Sequence, residues 1–325
     1  MPENKWKSNL VSSSLPLEYE IAKILVTKGF AVEADYTYAR DSETGRSKDF
    51  SVDINATGFP PFDDPNSVEG TLELLVECKH RVRGTKWLFL PDVNKPGFSK
   101  IYLGCALHAY DDFSAFAVDK TSAYDFTKRT PCCYKGIEVQ HVGGVFDTEI
   151  RHGIEQLRFA LPRLMVNTML NNMMGHAEDN RPFLVCPILL TNAELFVLNK
   201  NLTVASVEAA DDPAELGNPV PYLITYSGYG PDFEAHCTKE ANVLKGYAEH
   251  QKVQEIDAYR EAFADEFYKK RGPVDFMNGM ATADDTTLQL HFTQFVVCTK
   301  EGFVRLIEKM KQIAAQVIDS KSRHT

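Results

Sequence analysis

The stretch Leu72-Glu-Leu-Leu-Val-Glu-Cys-Lys-His80 decides how this chain is read. Strand-forming apolar residues end in Glu77, Cys78 and Lys79, so two ionisable groups stand at the exit of an apolar run. In a β-strand, residues i and i+2 share a face, which sets the Glu77 carboxylate beside the Lys79 ammonium. Such a pair at the end of a buried strand is costly unless something uses it. The plainer reading is a salt bridge on an exposed edge strand, which contributes little.

Upstream, Asp49-Phe-Ser-Val-Asp-Ile-Asn-Ala56 also alternates. The alternation predicts Phe50, Val52 and Ile54 on one face and Asp49, Ser51, Asp53 and Asn55 on the other. If the two strands are neighbours, Asp53 shares a face with Glu77 and Lys79. Further upstream, Leu17-Glu-Tyr-Glu-Ile-Ala-Lys-Ile-Leu25 reads as a helix that Gly29 stops. Its apolar residues fall three and four apart and form one buried stripe, which Glu18 flanks. The fold class expected from these segments is α/β, an α+β mixed sheet with flanking helices.

The order helix-Glu, strand-Asp, strand-Glu-x-Lys resembles the restriction-endonuclease-like, or PD-(D/E)xK, nuclease superfamily, with the closest likeness to its Mrr-type branch. The likeness covers roughly residues 13–80 and resumes near 148–198, where a Thr191-Asn192 turn follows an apolar strand. The Pro usually written before the Asp is absent. The resemblance implies a restriction-endonuclease-like core with helices flanking a central mixed sheet. It implies a catalytic set of Asp53, Glu77, Lys79, Glu18 and Gln156, the last in Gly153-Ile-Glu-Gln-Leu-Arg158. Metal ligands would be Asp53, Glu77, the backbone carbonyl of Cys78, and Glu18. The implied activity is Mg²⁺-dependent hydrolysis of phosphodiester bonds, with Mn²⁺ able to substitute. DNA is the expected substrate ahead of RNA, in bacterial defence or DNA repair, and a homodimer is the expected assembly. The alternative is a catalytically inert nuclease-like fold used as a nucleic-acid-binding or assembly module. A third reading is an unrelated mixed α/β protein in which Glu77 and Lys79 are an ordinary ion pair.

The chain has 325 residues, 44% hydrophobic and 25% charged, enough for a large core or two domains. The expected division is a nuclease-like core over 1–200, with an insertion at about 84–147, and a C-terminal α/β extension over 201–325 packed on that core. In the insertion, Trp87, Phe113, Phe116 and Tyr124 read first as core residues and second as base-stacking ones. A turn is expected at 41–46, a helix over 148–174 that Pro162 bends or ends, a charged helix over 238–271 and a strand over 291–298.

A net charge of −10 argues against nucleic-acid binding through a general positive field. Lys79, His80, Arg81, Arg83 and Lys86 nevertheless make a local basic patch beside the expected site. There is no apolar run of membrane-spanning length and no signal-peptide core in residues 1–14, so a cytoplasmic protein with no membrane partner is expected. Seven irregularly spaced cysteines fit reduced thiols. Gly-rich phosphate loops, Gly-x-Ser-x-Gly elbows and His-Glu-x-x-His helices are absent.

Overall fold

The computed structural model describes residues 5–41, 47–62, 64, 67–114, 116–174, 181–262 and 272–323. Residues 42–46 of the turn expected at 41–46 and the end of the expected charged helix, 263–271, lie outside the described residues.

Helices α1 (Lys5–Ser12) and α2 (Leu15–Thr27) lead into strands β1 (Ala31–Asp41), β2 (Ser47–Gly58) and β3 (Thr71–Lys79). The middle of the chain supplies β4 (Lys86–Pro91), β5 (His108–Tyr110), β6 (Phe116–Ala117), α3 (Thr121–Arg129), β7 (Cys132–Val139), β8 (Val145–Phe146) and the long α4 (Thr148–Met174). There follow β9 (Phe183–Thr191), β10 (Glu194–Leu198), α5 (Val204–Ala209), β11 (Gly217–Pro219), β12 (Tyr222–Tyr226), α6 (Pro231–Lys245) and α7 (Gln251–Ala262). The chain closes with α8 (Pro273–Ala281), α9 (Asp285–Phe292), β13 (Gln294–Thr299), α10 (Lys300–Asp319) and β14 (Ser322–Arg323).

Among the described residues, twelve strands form one sheet with the order β1-β2-β3-β9-β13-β12-β7-β4-β10-β11, while β5 joins β9 and β8 joins β7. β1, β2 and β3 are antiparallel, whereas β3, β9 and β13 run parallel, so the sheet is mixed and the fold is α/β as expected. β9 is apolar and buried along its whole length, as suits a parallel strand covered on both faces. Helix α4 lies on one face, where Leu157, Leu161 and Leu164 join Phe159 and Phe295 in one core cluster. α2 and α10 cover the other, where Ile21 and Leu25 meet Phe303, Leu306 and Met310. Residues 84–147 contribute β4 and β7 to the sheet, and residues 201–325 contribute β12 and β13 to its interior.

Several expectations are corrected. Of the two outcomes expected at Pro162, a bend or an end, the end does not occur, since the residue sits inside α4. The long charged helix is broken after Lys245, and α7 starts afresh at Gln251. The strand expected over 291–298 begins at Gln294, because His291 and Phe292 close α9. Trp87 and Phe113 are fully buried, in line with their first reading as core residues, and the Trp87 indole N–H donates to Glu138 Oε2 at 2.9 Å, so the second reading, base stacking, does not hold for either. The alternation of β2 does not keep one face throughout. Val52 packs with Tyr38 and Leu157 on the α4 side, whereas Ile54 packs with Ile21 on the opposite side. The switch falls at Asp53. No helix among the described residues is long and apolar enough to cross a membrane.

Candidate active site

The sheet parts at Asp53. β2 and β3 are paired from Gly58↔Leu72 to Ile54↔Val76, and one further step of the same register would set Asp53 opposite Glu77. There the ladder stops. The Asp53 side chain takes over one of the released backbone groups, since its Oδ2 accepts the Cys78 N–H at 2.6 Å. The β1–β2 ladder has its own gap at the facing residue, Asp35, whose φ is 56°. A non-glycine residue in that left-handed region is uncommon and marks a local break.

Glu77 stands on the α4 face of β3, almost fully buried. Its Oε1 accepts from Lys79 Nζ at 2.7 Å, and Lys79 also donates to Gln156 Oε1 at 2.9 Å. The Gln156 amide in turn donates from Nε2 to the Ser51 carbonyl at 3.1 Å, so one α4 side chain ties the lysine to β2. β3 is an interior strand between β2 and β9, so this is a buried pair rather than a surface salt bridge. Breaking such a pair on one side leaves an uncompensated buried charge. Glu77 Oε2 has no hydrogen-bond partner although it is shielded from solvent. A buried carboxylate oxygen without a donor needs a reason.

Electrostatics mark the same spot. Burial first, and then the Asp53 carboxylate, push the Glu77 carboxyl up to about 8. Burial also raises Asp53, against the opposing pull of the Cys78 N–H and Lys79. Half-buried Glu18, in the first turn of α2, is pushed up to about 7 by burial and then by Asp53 and Asp35. Glu18, Asp53, Glu77, Lys79 and Gln156 therefore sit within mutual electrostatic or hydrogen-bonding reach. Cys78 turns its thiol into the α2–α10 core, which leaves only its backbone at the site.

Other residues shape the site. Gly153 lets α4 settle on β3: a Cβ there would lie 2.5 Å from Leu189 Cδ1 and 3.2 Å from Lys79 Cε. Ser14 Oγ accepts from the His80 N–H at 3.1 Å, which ties the start of α2 to the exit of β3. Thr191 Oγ1 donates to the Lys79 carbonyl at 2.9 Å, and the Asn192 side chain bonds both backbone groups of Arg81. Asp35, Ser14 and Gly153 are not picked out by sequence reasoning. Of these, only Ser14 carries a local signal, a serine followed by Pro16 at a helix start.

The expected basic patch is mostly spent. Arg81 pairs with Glu138 at 2.6 Å and lies 3.6 Å from Glu149, and Lys86 lies 3.5 Å from Asp212. Arg83 remains exposed.

The donor set is one of hard oxygens, which suits Mg²⁺ or Mn²⁺, and the unpartnered Glu77 Oε2 beside Asp53 fits a ligand position. Among the described residues no three His, Cys, Asp or Glu side chains converge closely enough to hold a metal unaided. Two carboxylates and solvent remain a sufficient set, because Mg²⁺ commonly keeps several of its waters. Compared with known proteins, the chain matches no family model, no curated protein and no solved structure.

Proposed function

We propose that this protein is a divalent-metal-dependent phosphodiesterase that cuts DNA as an endonuclease, in defence or repair. One observation carries the reading. A buried glutamate with an unpartnered oxygen lies beside a second carboxylate and an anchored lysine, at the point where two paired strands part. Structural ion pairs rarely leave a buried oxygen unsatisfied.

The chemistry a divalent cation supplies when bound is stabilisation of charge on the phosphate and a lowered pKa for water. Asp53 and Glu77 would hold it, with the Cys78 carbonyl as a further oxygen donor. Lys79, fixed by Gln156, faces the same place with a positive charge suited to orienting the attacking water and balancing charge on the phosphate. Glu18, titrating near neutrality, is suited to take a proton from water. A homodimer would place two such sites on a duplex, and a cytoplasmic setting agrees with the reduced thiols expected.

Purified protein incubated with plasmid, linear and single-stranded substrates tests this. Cleavage is expected with Mg²⁺ or Mn²⁺ and none with EDTA. Asp53→Ala and Lys79→Ala should abolish it while retaining the parent circular dichroism spectrum. Cleavage at parental rates by either folded variant would refute the roles assigned. The second reading, a nuclease-like fold that binds or assembles without turnover, is favoured by the lack of a three-ligand cluster among the described residues. It predicts no Mg²⁺-dependent rise in stability.

A further inference from the structure

A cavity of about 660 Å³ opens between the C-terminal half of α4 and the ends of β1, β2 and β3. β2 and β3 supply Asn55 and Glu73 to its lining, α4 supplies Asn167 and Asn171, and Phe59 and Arg181 complete it. It shares its elements with the candidate active site. Asn55 is two residues from Asp53 along β2, and Glu73 is about 13 Å from Glu77 along β3 at the usual strand rise. None of the catalytic residues proposed above lines it.

Three features define what the cavity can take. First, Asn55 Oδ1 is shielded from solvent and has no hydrogen-bond partner, so it is an acceptor that a ligand N–H would satisfy. Second, Phe59 lines the cavity and is 38% exposed, so a phenyl ring is accessible there. Third, the polar lining consists mainly of amides and hydroxyls, with Glu33 and Glu73 as carboxylates and Arg181 as the one cation among the described lining residues. A polyphosphate site would need more positive charge than this. A flat aromatic surface beside amide groups matches a planar, neutral, hydrogen-bonding ligand. Bases stack on aromatic side chains whatever their sequence, and asparagine reads base edges through its paired amide donor and acceptor.

We propose that this cavity is a nucleobase-binding site, in which a purine or pyrimidine stacks on Phe59 and donates a hydrogen bond to Asn55. The base can come from an unpaired nucleotide of the DNA or from a free nucleotide. The first source rests on the nuclease reading, whereas the base-binding chemistry does not.

The test is binding in EDTA, so that no cleavage is read. Isothermal titration uses the four deoxynucleoside monophosphates, and fluorescence anisotropy uses labelled single-stranded hexanucleotides with and without an abasic position. The parent protein is compared with Phe59→Ala, Asn55→Ala and Phe59→Trp. Affinity should fall about tenfold or more in Phe59→Ala and largely return in Phe59→Trp. Binding of free monophosphates would assign the site to a free nucleotide. Binding of hexanucleotides alone, weakened by the abasic position, would assign it to the DNA. The proposal is overturned if no base-dependent binding occurs, or if Phe59→Ala and Asn55→Ala bind as the parent does. Cleavage by the same proteins in Mg²⁺ separates the two claims. Cleavage without base binding removes the cavity's role alone, and base binding without cleavage removes the nuclease reading alone.

Discussion

Burying Glu77 next to Asp53 costs the metal-free protein stability, and the cost depends on pH. The folded carboxyl is raised from 4.5 to about 8, so between these values the native state holds a proton that the unfolded chain has released. Stability is then complete below the lower value and lost as pH rises through the upper one. In EDTA the free energy of unfolding should fall between pH 5 and pH 9. Glu77→Gln should flatten that slope and gain on the order of 2 kcal/mol at pH 9, measured by urea denaturation at stepped pH. An unchanged slope would remove Glu77 from the account. Mg²⁺ should stabilise the parent more at pH 8 than at pH 6, because binding needs the ionised carboxylate, and Asp53→Asn should lose the effect. The adjacency of Glu77 and Lys79 was legible, because period two is a local property of one strand. Asp35 was not, because it approaches the site only through the pairing of β1 with β2. Nor was the face switch at Asp53, since the apolar-polar alternation of residues 50–55 runs through it without interruption.

Helix α4 and strand β3 meet at Gly153, and the site depends on how closely they meet. Any side chain at 153 must push on Leu189 and Lys79. Gly153→Val should cost about 1–3 kcal/mol, in line with other overpacked cores. It should lower cleavage further than that loss explains, because Lys79 is displaced from Gln156. A cap that makes no contact with Lys79 or Gln156 supplies the control. Thr299 caps α10 by accepting the Gly302 N–H at 2.9 Å, and Thr299→Ala should cost about 1 kcal/mol. At a temperature where both variants remain folded by circular dichroism, only Gly153→Val should lose cleavage. Equal losses would mean that the α4–β3 contact matters for stability alone. At this scale the sequence was legible where helical spacing continued, as in α4. It was read poorly where Gly246 interrupted a charged helix and where α8 and α9 intervened before β13. Those short helices are held by burial of Phe276, Met280, Leu288 and Phe292 against distant partners, which no local periodicity records.

The order of strands in the sheet binds the whole molecule together in a way the runs of apolar residues could not reveal. Each run announces a strand, but nothing in a run names its neighbour. β9, which carries one edge of β3 and so supports Glu77 and Lys79, pairs on its other side with β13, from Val296↔Ile188 to Thr299↔Thr191. β13 joins β12, and β12 joins β7. Helix α10 then covers the face of the sheet that holds Ile54, Leu74 and Ile188. A chain ending at residue 200 would lose both central strands and that covering helix. It would expose an apolar β9 edge, a template for aggregation, and would separate β4 and β7 from the strands that bear the site. Fragment 1–200 is therefore expected to be insoluble, or to lack near-ultraviolet circular dichroism and a cooperative urea transition. Mg²⁺ should neither stabilise it nor elicit cleavage. Adding 201–325 in trans should restore both only as far as the two pieces reassemble, so recovered cleavage should track recovered cooperativity. A 1–200 fragment that unfolds in one sharp transition would show instead that the first three strands, α4 and β9 form a self-sufficient core. The site would then owe nothing to the strands that follow it in the chain.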